Sequence, residues 1–192
     1  MRAAFNRGRQ NRGGSEGAIR KHITASEALE FNTDEQEGEA VMSFSHFEYL
    51  DKKRFTGIST VTSNAEEASG RGKIAAMWEL FSKQNAIPPT SNVIALYSQY
   101  ETDEHGTYSY SIGTFAEQCR DGQDVITLPA SLYAVFTSRR GRVEEVVFET
   151  WQEIWSWKEK GLRTYTGDFE VYDERTADSG NAQVTIYVAV KK

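Results

Sequence analysis

The chain has few of the residues that build disulfides, metal centres and nucleophilic sites. Its 192 residues include one cysteine, Cys119, and three histidines that lie far apart in the sequence. A single cysteine excludes an internal disulfide and a thiolate metal cluster, and the histidines lack the spacing of metal ligands. No Ser-His-Asp set or phosphate-binding loop is present either. The sequence therefore predicts no metal site and no cofactor.

Long apolar runs are also missing. No stretch approaches the roughly 18 consecutive apolar residues that a membrane span needs. The N-terminus contains arginines but lacks the apolar segment of a secretory signal. We therefore expect no membrane association and a cytoplasmic location. The formal net charge of −6 argues against nucleic acid as the main partner, and it is compatible with cationic ligands.

Residues 1–41 contain few large apolar side chains, and their charges are segregated. Six basic residues and one acid lie up to Lys21, whereas six acids and no base lie between Glu27 and Glu39. This composition is typical of a segment that is disordered in isolation. The sequence predicts a polar arm over 1–41 and a folded domain over 42–192. The four Trp, nine Tyr and ten Phe of the chain are ample for a core.

The folded part shows two hydrophobic periods, one typical of strands and one typical of helices. Amphipathic helices are predicted over about 72–85 and 143–160, each preceded by one strand and followed by two. Matched positions in the two series lie 75 to 77 residues apart, as Tyr97 and Tyr172 do. We therefore expect two pseudo-repeats, which span about 44–120 and 121–192.

The predicted fold class is α+β. Duplicated β-α-β-β modules form an antiparallel sheet with two main helices on one side and a ligand groove between the repeats. We expect the groove on the sheet face away from the helices. Residues from matched strands would line it: Tyr97 or Tyr110 from the first module, and Glu170, Tyr172 and Tyr187 from the second.

The last two predicted strands place a carboxylate among aromatic residues. If 168–172 and 184–190 pair as a hairpin, one face is aliphatic and the other carries Glu170 with Tyr172 and Tyr187. Aromatic rings around a carboxylate suit an organic cation, because the rings attract positive charge and the acid supplies the countercharge. A solvated strand glutamate is the alternative that this pattern leaves open.

Six segments in order carry a family resemblance. In the first half they are an opening strand with Gly57, a helix with Trp78 and Phe81, and a tyrosine-rich strand that ends at Gly113. In the second half they are the segments 128–136, 168–172 and 184–190. Together they resemble the GyrI-like family, the effector-binding domains of AraC- and MerR-type transcription regulators. The similarity covers about 44–192.

This resemblance implies a duplicated β-α-β-β fold with a cavity between the repeats. It also implies that Glu170 lies at the cavity floor and receives organic cations, and that Tyr187 is one of the aromatic residues around it. The further predicted ligand-binding residues are Tyr172, Tyr110, Tyr133, Tyr97 and Trp155. Packing in the sheet or the core stays open as the alternative for these aromatic residues.

The predicted function is binding of amphipathic, mainly cationic small molecules, for sensing or sequestration, with Glu170 as the countercharge. Two alternatives remain. One is hydrolysis of strained cyclopropane-type compounds by Glu170, which the resemblance implies for some members. The other is inhibition of a larger protein partner. The arm has no pattern for a helix-turn-helix unit, so no direct DNA binding is expected.

Overall fold

In the described part of the chain, eight antiparallel strands form one sheet with the two main helices on one side, which confirms the predicted α+β class. The computed structural model describes residues 43–84, 92–116 and 125–192. The predicted arm over 1–41 and Cys119 lie outside the described residues. The strands are β1 (Phe44–Leu50), β2 (Lys53–Ser63), β3 (Val93–Ser98), β4 (Thr107–Phe115), β5 (Val125–Leu128), β6 (Ser131–Thr137), β7 (Asp168–Tyr172) and β8 (Thr185–Val190). The helices described are α1 (Asn64–Ala68), α2 (Ile74–Gln84) and α3 (Val143–Ser156), with short 3-10 helices at Lys160–Leu162 and Glu174–Thr176.

The strand order is β1-β6-β8-β7-β3-β4-β2-β5, and every neighbouring pair is antiparallel. Each half of the chain keeps three strands together, β2-β4-β3 in the first half and β6-β8-β7 in the second. The first strand of each half pairs with the other half, because β1 lies beside β6 and β5 beside β2. The sequence pattern did not predict this exchange. Two related modules over about 44–120 and 121–192 would produce such an order, and that division stays a prediction.

Both main helices bury an aromatic stripe against the same face of the sheet. On α2 the buried residues are Met77, Trp78 and Phe81, and on α3 they include Val147, Trp151 and Ile154. They form one core with alternate residues of the central strands, among them Ala95, Tyr110, Ile112, Tyr172 and Ile186. Period-two alternation in the strands and helical spacing in the helices produce this layer.

No helix in the described part of the chain is long and apolar enough to cross a membrane.

Helix α3 ends four residues earlier than the predicted limit at 160. Trp157 has an extended backbone, with φ −60° and ψ 136°, so the helix cannot continue through it. Its ring is buried, stacks on Phe44 with 5.6 Å between centroids, and meets Phe136 edge-on at 5.3 Å. Packing against distant strands therefore overrides the local preference for helix.

The opposite face of the sheet carries a second apolar cluster. The sheet is curled, and the side chains that it encloses there include Phe55, Leu96, Leu128, Tyr133 and Phe169. These residues alternate with the ones that face the helices, as strand geometry requires. The two clusters are therefore separated by the sheet itself.

Two glycines face each other across β2 and β4 and allow the strands to approach closely. Gly57 and Gly113 are directly paired. A Cβ atom added at Gly113 would lie 2.7 Å from the Gly57 Cα and 2.8 Å from the Phe55 Cζ, which is closer than real Cβ contacts. Only glycine fits where the backbone and a core ring come this near.

Gly113→Ala is expected to destabilise the fold by about 1 to 3 kcal/mol, because the added methyl group overpacks the β2–β4 ladder. Urea unfolding followed by tryptophan fluorescence measures the change. Gly161→Ala is the matched control, since a Cβ at Gly161 meets nothing within 4 Å. Equal effects of the two substitutions would contradict the close-approach role of Gly113.

Candidate functional site

Glu170 is a buried carboxylate with three hydrogen-bond donors around it. It lies in the middle of β7 and is 1% exposed. Its Oε1 atom accepts hydrogen bonds from the Tyr97 hydroxyl at 2.8 Å and the Trp151 Nε1 at 2.7 Å. Its Oε2 atom accepts one from the Tyr172 hydroxyl at 2.6 Å. Because an unpartnered buried carboxylate is costly, these donors make an anion tolerable at this position.

The register of β3 and β7 places two of the donors. Ala95 lies directly opposite Glu170. Tyr97 follows Ala95 by two residues and Tyr172 follows Glu170 by two, so all four side chains lie on one face of the sheet. Since the strands are antiparallel, the two tyrosines stand on opposite sides of Glu170 and reach it from both directions.

The electrostatics of the cluster follow from its burial. Burial raises the pKa of Glu170, and the hydrogen bonds from Trp151, Tyr172 and Tyr97 lower it in part. Burial, followed by the negative charge of Glu170, raises the pKa of Tyr97, Tyr110 and Tyr172 well above 10. The tyrosines therefore stay protonated at neutral pH and act as donors. Among the described residues of this inner cluster, Glu170 is the only one with a carboxyl group.

A cavity of about 140 Å³ lies beside Glu170, between the sheet and the two main helices. Tyr97, Tyr108 and Tyr110 form its floor together with Glu170, and α2 contributes Ile74 and Ala75. The wall formed by α3 consists of Glu144, Val147, Phe148, Trp151 and Trp155. Asn64, Glu67, Tyr100, Glu104 and Arg163 complete the lining. The cavity is mainly aromatic and apolar, with a few polar groups, as small-molecule sites usually are.

Arg163, the arginine in the cavity lining, already forms ion pairs with acidic residues of the protein. Its Nη2 donates to the Asp168 Oδ2 at 2.8 Å, and its Nη1 lies 3.7 Å from the Glu104 Oε2. The Tyr100 hydroxyl donates to the same Asp168 oxygen at 2.9 Å. Through Glu104 and Tyr100, these contacts tie the β3–β4 connection to Arg163 and to the start of β7 at one end of the cavity. Across the described ranges, no group of three His, Cys, Asp or Glu is placed to hold a metal ion.

Five of the seven predicted site residues lie at this cluster. Glu170, Tyr97, Tyr110 and Trp155 line the cavity, and Tyr172 hydrogen-bonds to Glu170 from the sheet. Tyr110 also accepts a hydrogen bond from the Trp78 Nε1 at 2.8 Å, so it joins the helix core to the cavity floor. Whether these side chains bind a ligand stays a prediction.

The predicted grouping of Tyr187 and Tyr133 with Glu170 is wrong. In the β7–β8 pairing Phe169 lies opposite Tyr187 and Glu170 lies opposite Ile186. Tyr187 therefore shares the far face of the sheet with Phe169, on which it stacks at 4.6 Å between ring centroids. Tyr133 packs in the same second cluster. The aliphatic residues of β8, not its tyrosine, lie on the side of Glu170.

The predicted side of the groove is also corrected. The expectation placed it on the sheet face away from the helices, but the cavity lies on the helix side, where α2 and α3 leave a gap. The physical reason is the curl of the sheet, which fills its other face with side chains such as Phe55 and Leu96. The cavity does receive residues from both halves of the chain.

Trp151 has a role that its helical spacing alone does not reveal. The spacing places it on the buried stripe of α3, as a core residue would be, yet its indole N–H also donates to Glu170. A signal existed, because a buried tryptophan usually needs an acceptor for its N–H and a buried carboxylate needs donors. The buried ion pair between Asp168 and Arg163 was not predicted either, because no local sequence pattern indicates it.

Comparison with known sequences gives matches over most of the chain. The family model of Cass2, described as an integron-associated effector binding protein, matches residues 46–190. YobU of Bacillus subtilis (strain 168), which bears the name of a candidate transcriptional regulator, is 49% identical over 160 residues. That alignment covers 79% of this chain and 100% of YobU.

Solved structures share the fold. The integron cassette protein VCH_CASS2, from the mobile metagenome of Vibrio cholerae, has a TM-score of 0.63 and 26% identity, over 78% of this chain and 97% of its own. SAV2435, solved bound to tetraphenylphosphonium, has a TM-score of 0.62 and 23% identity, over 76% of this chain and 93% of its own. Both support the architecture described above.

The raised pKa of Glu170 predicts how stability depends on pH. Burial favours the protonated carboxyl in the folded state, so the free energy of unfolding should fall as pH rises through the raised pKa of Glu170. Glu170→Gln removes this dependence. The stability of the wild type minus that of Glu170→Gln is therefore expected to decrease from about pH 4.3, the ordinary value for glutamate, towards neutral pH.

Urea unfolding of both proteins at several pH values measures this difference. The other carboxyl groups of the cavity lining are present in both proteins, so the difference between the two isolates Glu170 to first order. A difference that stays constant or grows with pH would show that the folded state does not disfavour the Glu170 anion.

Proposed function

The chain belongs to the Cass2 family of integron-associated effector-binding proteins, and we propose that it binds lipophilic organic cations in the cavity beside Glu170. The predicted resemblance to GyrI-like effector-binding proteins is confirmed by this membership. One observation carries the proposal: a buried carboxylate lies at an aromatic cavity and, within the part of the chain described, is in no ion pair. A ligand would supply the missing positive charge.

The energetics favour a cation that is easily dehydrated. Charge attraction is strong where water is excluded, but a small ammonium loses much hydration on entering such a site. A large cation whose charge is shielded or delocalised loses less. The aromatic rings of Tyr97, Tyr110 and Trp155 can contact its surface and attract the charge through their π faces.

The hydrogen bonds of Glu170 narrow the ligand class further. A carboxylate has about four acceptor positions, and the donors from Tyr97, Trp151 and Tyr172 occupy three of them. A primary ammonium, with three N–H donors, finds few acceptors there. Quaternary ammonium and phosphonium ions need none, so we propose that they are preferred over primary amines of similar size.

The relatives support this assignment. SAV2435, which shares the fold, has been solved with tetraphenylphosphonium, a lipophilic cation without hydrogen-bond donors. YobU, 49% identical, is named as a candidate regulator, which is compatible with a binding module that reports a small molecule. We propose the same ligand class for this chain and a role in sensing or sequestering such compounds.

Hydrolysis of strained rings is the weaker alternative. A general base needs a free acceptor position within hydrogen-bond reach of its water. Both lone-pair positions of Oε1 are engaged, by Tyr97 and Trp151, and Oε2 already accepts from Tyr172. This arrangement suits a fixed countercharge better than a proton-abstracting group.

Titration with tetraphenylphosphonium tests the proposal. We expect saturable binding to the wild type by calorimetry, with quenching of tryptophan fluorescence because Trp151 and Trp155 lie at the cavity. Glu170→Gln is expected to weaken binding at least tenfold, about 1.4 kcal/mol, because it removes the countercharge and keeps the shape. Neutral triphenylphosphine oxide should bind weakly and respond little to the substitution.

Glu149→Gln is the control variant. Glu149 lies on the same helix but pairs with Arg139 at 2.7 Å, away from the cavity, so its substitution should leave binding unchanged. Equal binding by wild type and Glu170→Gln, or equal affinity for the cation and the neutral compound, would refute Glu170 as the countercharge.

A further inference from the structure

A second carboxylate, Glu144, lies in the cavity wall and has no strong partner among the residues that the structure describes. It is in the first turn of α3, and its side chain is 11% exposed. Its ion pair, to the Arg142 Nε at 4.0 Å, involves a guanidinium that is more than half exposed. Such a long, solvent-screened pair contributes little. Glu144 therefore presents to the cavity a carboxyl group whose ion pair within the described residues is this weak one.

The other acidic residues of the wall have structural partners. Glu67 accepts a hydrogen bond from the Thr62 hydroxyl at 2.5 Å and one from the Lys73 backbone N–H at 2.8 Å. Glu104 lies 3.7 Å from Arg163 and accepts a hydrogen bond from the Tyr165 hydroxyl. These contacts fix loops around the cavity. Glu144 differs from both, since within 43–84, 92–116 and 125–192 it makes no comparable contact.

Helix geometry relates Glu144 to Glu170. Trp151, which donates to Glu170, follows Glu144 by seven residues, or about two turns, on the same face of α3. The corresponding distance along the helix axis is roughly 10 Å. Val147 and Phe148 lie between them in the cavity wall. An apolar surface thus connects two carboxylates at separate positions in one cavity.

We infer that Glu144 is a second countercharge and that the cavity prefers elongated organic dications, with one cationic centre near Glu170 and the other near Glu144. The hydrocarbon between the centres would lie along Val147 and Phe148. This inference rests on the proposed function, because it assigns a ligand class to the same cavity. Glu144 acts as a specificity determinant, and Glu170 remains the primary countercharge.

A matched pair of ligands tests it: hexane-1,6-bis(trimethylammonium) and hexyltrimethylammonium, each titrated by calorimetry at low salt. The wild type is expected to bind the dication at least tenfold more tightly than the monocation. Glu144→Gln should reduce this preference to within about threefold and change the affinity for the monocation little. Glu145→Gln is the control, since Glu145 is adjacent, also pairs with Arg142, and does not line the cavity.

Tetraphenylphosphonium titrated into the same proteins separates the two proposals. If it binds in a Glu170-dependent way and the dication preference is absent or survives in Glu144→Gln, the second countercharge is refuted and the cation site stands. Undetectable binding of the dication to wild type refutes the inference too. If tetraphenylphosphonium binding does not depend on Glu170, the proposed function fails, and this inference with it.

Discussion

The structure around the cavity depends on satisfying the hydrogen bonds of one carboxylate inside a core. Glu170 is held by donors from three elements: Tyr97 on β3, Tyr172 on β7 and Trp151 on α3. The donors on β3 and α3 fix those two elements relative to β7, so the two central strands and the long helix share a single hydrogen-bonded centre. Because partly satisfied buried networks are unfavourable, this centre constrains the packing of both halves of the chain.

Much of this arrangement could be predicted from sequence because it depends on local periodicity. The alternation of β7 separates Glu170 and Tyr172 from Phe169, and helical spacing puts the buried residues of α2 and α3 on one stripe. The predicted α+β class and the two main helices on one side follow from these short-range patterns. The prediction of a cation site likewise depends on a local feature, the glutamate on a strand that also carries aromatic residues.

The features of the fold and the site that local periodicity does not predict depend on contacts between segments that lie far apart in the sequence. The register between β7 and β8 decides which face of β8 lies on the same side of the sheet as Glu170. Ile186 lies opposite Glu170 in this register, and a shift of one residue would place Tyr187 there instead. The end of α3 is likewise set by the packing of Trp157 on Phe44, far away in sequence. The side on which the cavity lies depends on how the whole sheet curls, which no single segment specifies.

The exchange of first strands has a consequence for how the protein is made. The pairing partner of β1 is β6, where His46 lies opposite Val135, so the ribosome must synthesise almost 90 further residues before this ladder can form. Domains generally fold as units as the chain emerges, but the first half alone leaves β1 without its neighbour and β2 without β5. Folding is therefore coupled across the whole length of the domain. Nascent chains that end before β6 should expose an unpaired, partly apolar edge, the kind of surface that chaperones protect.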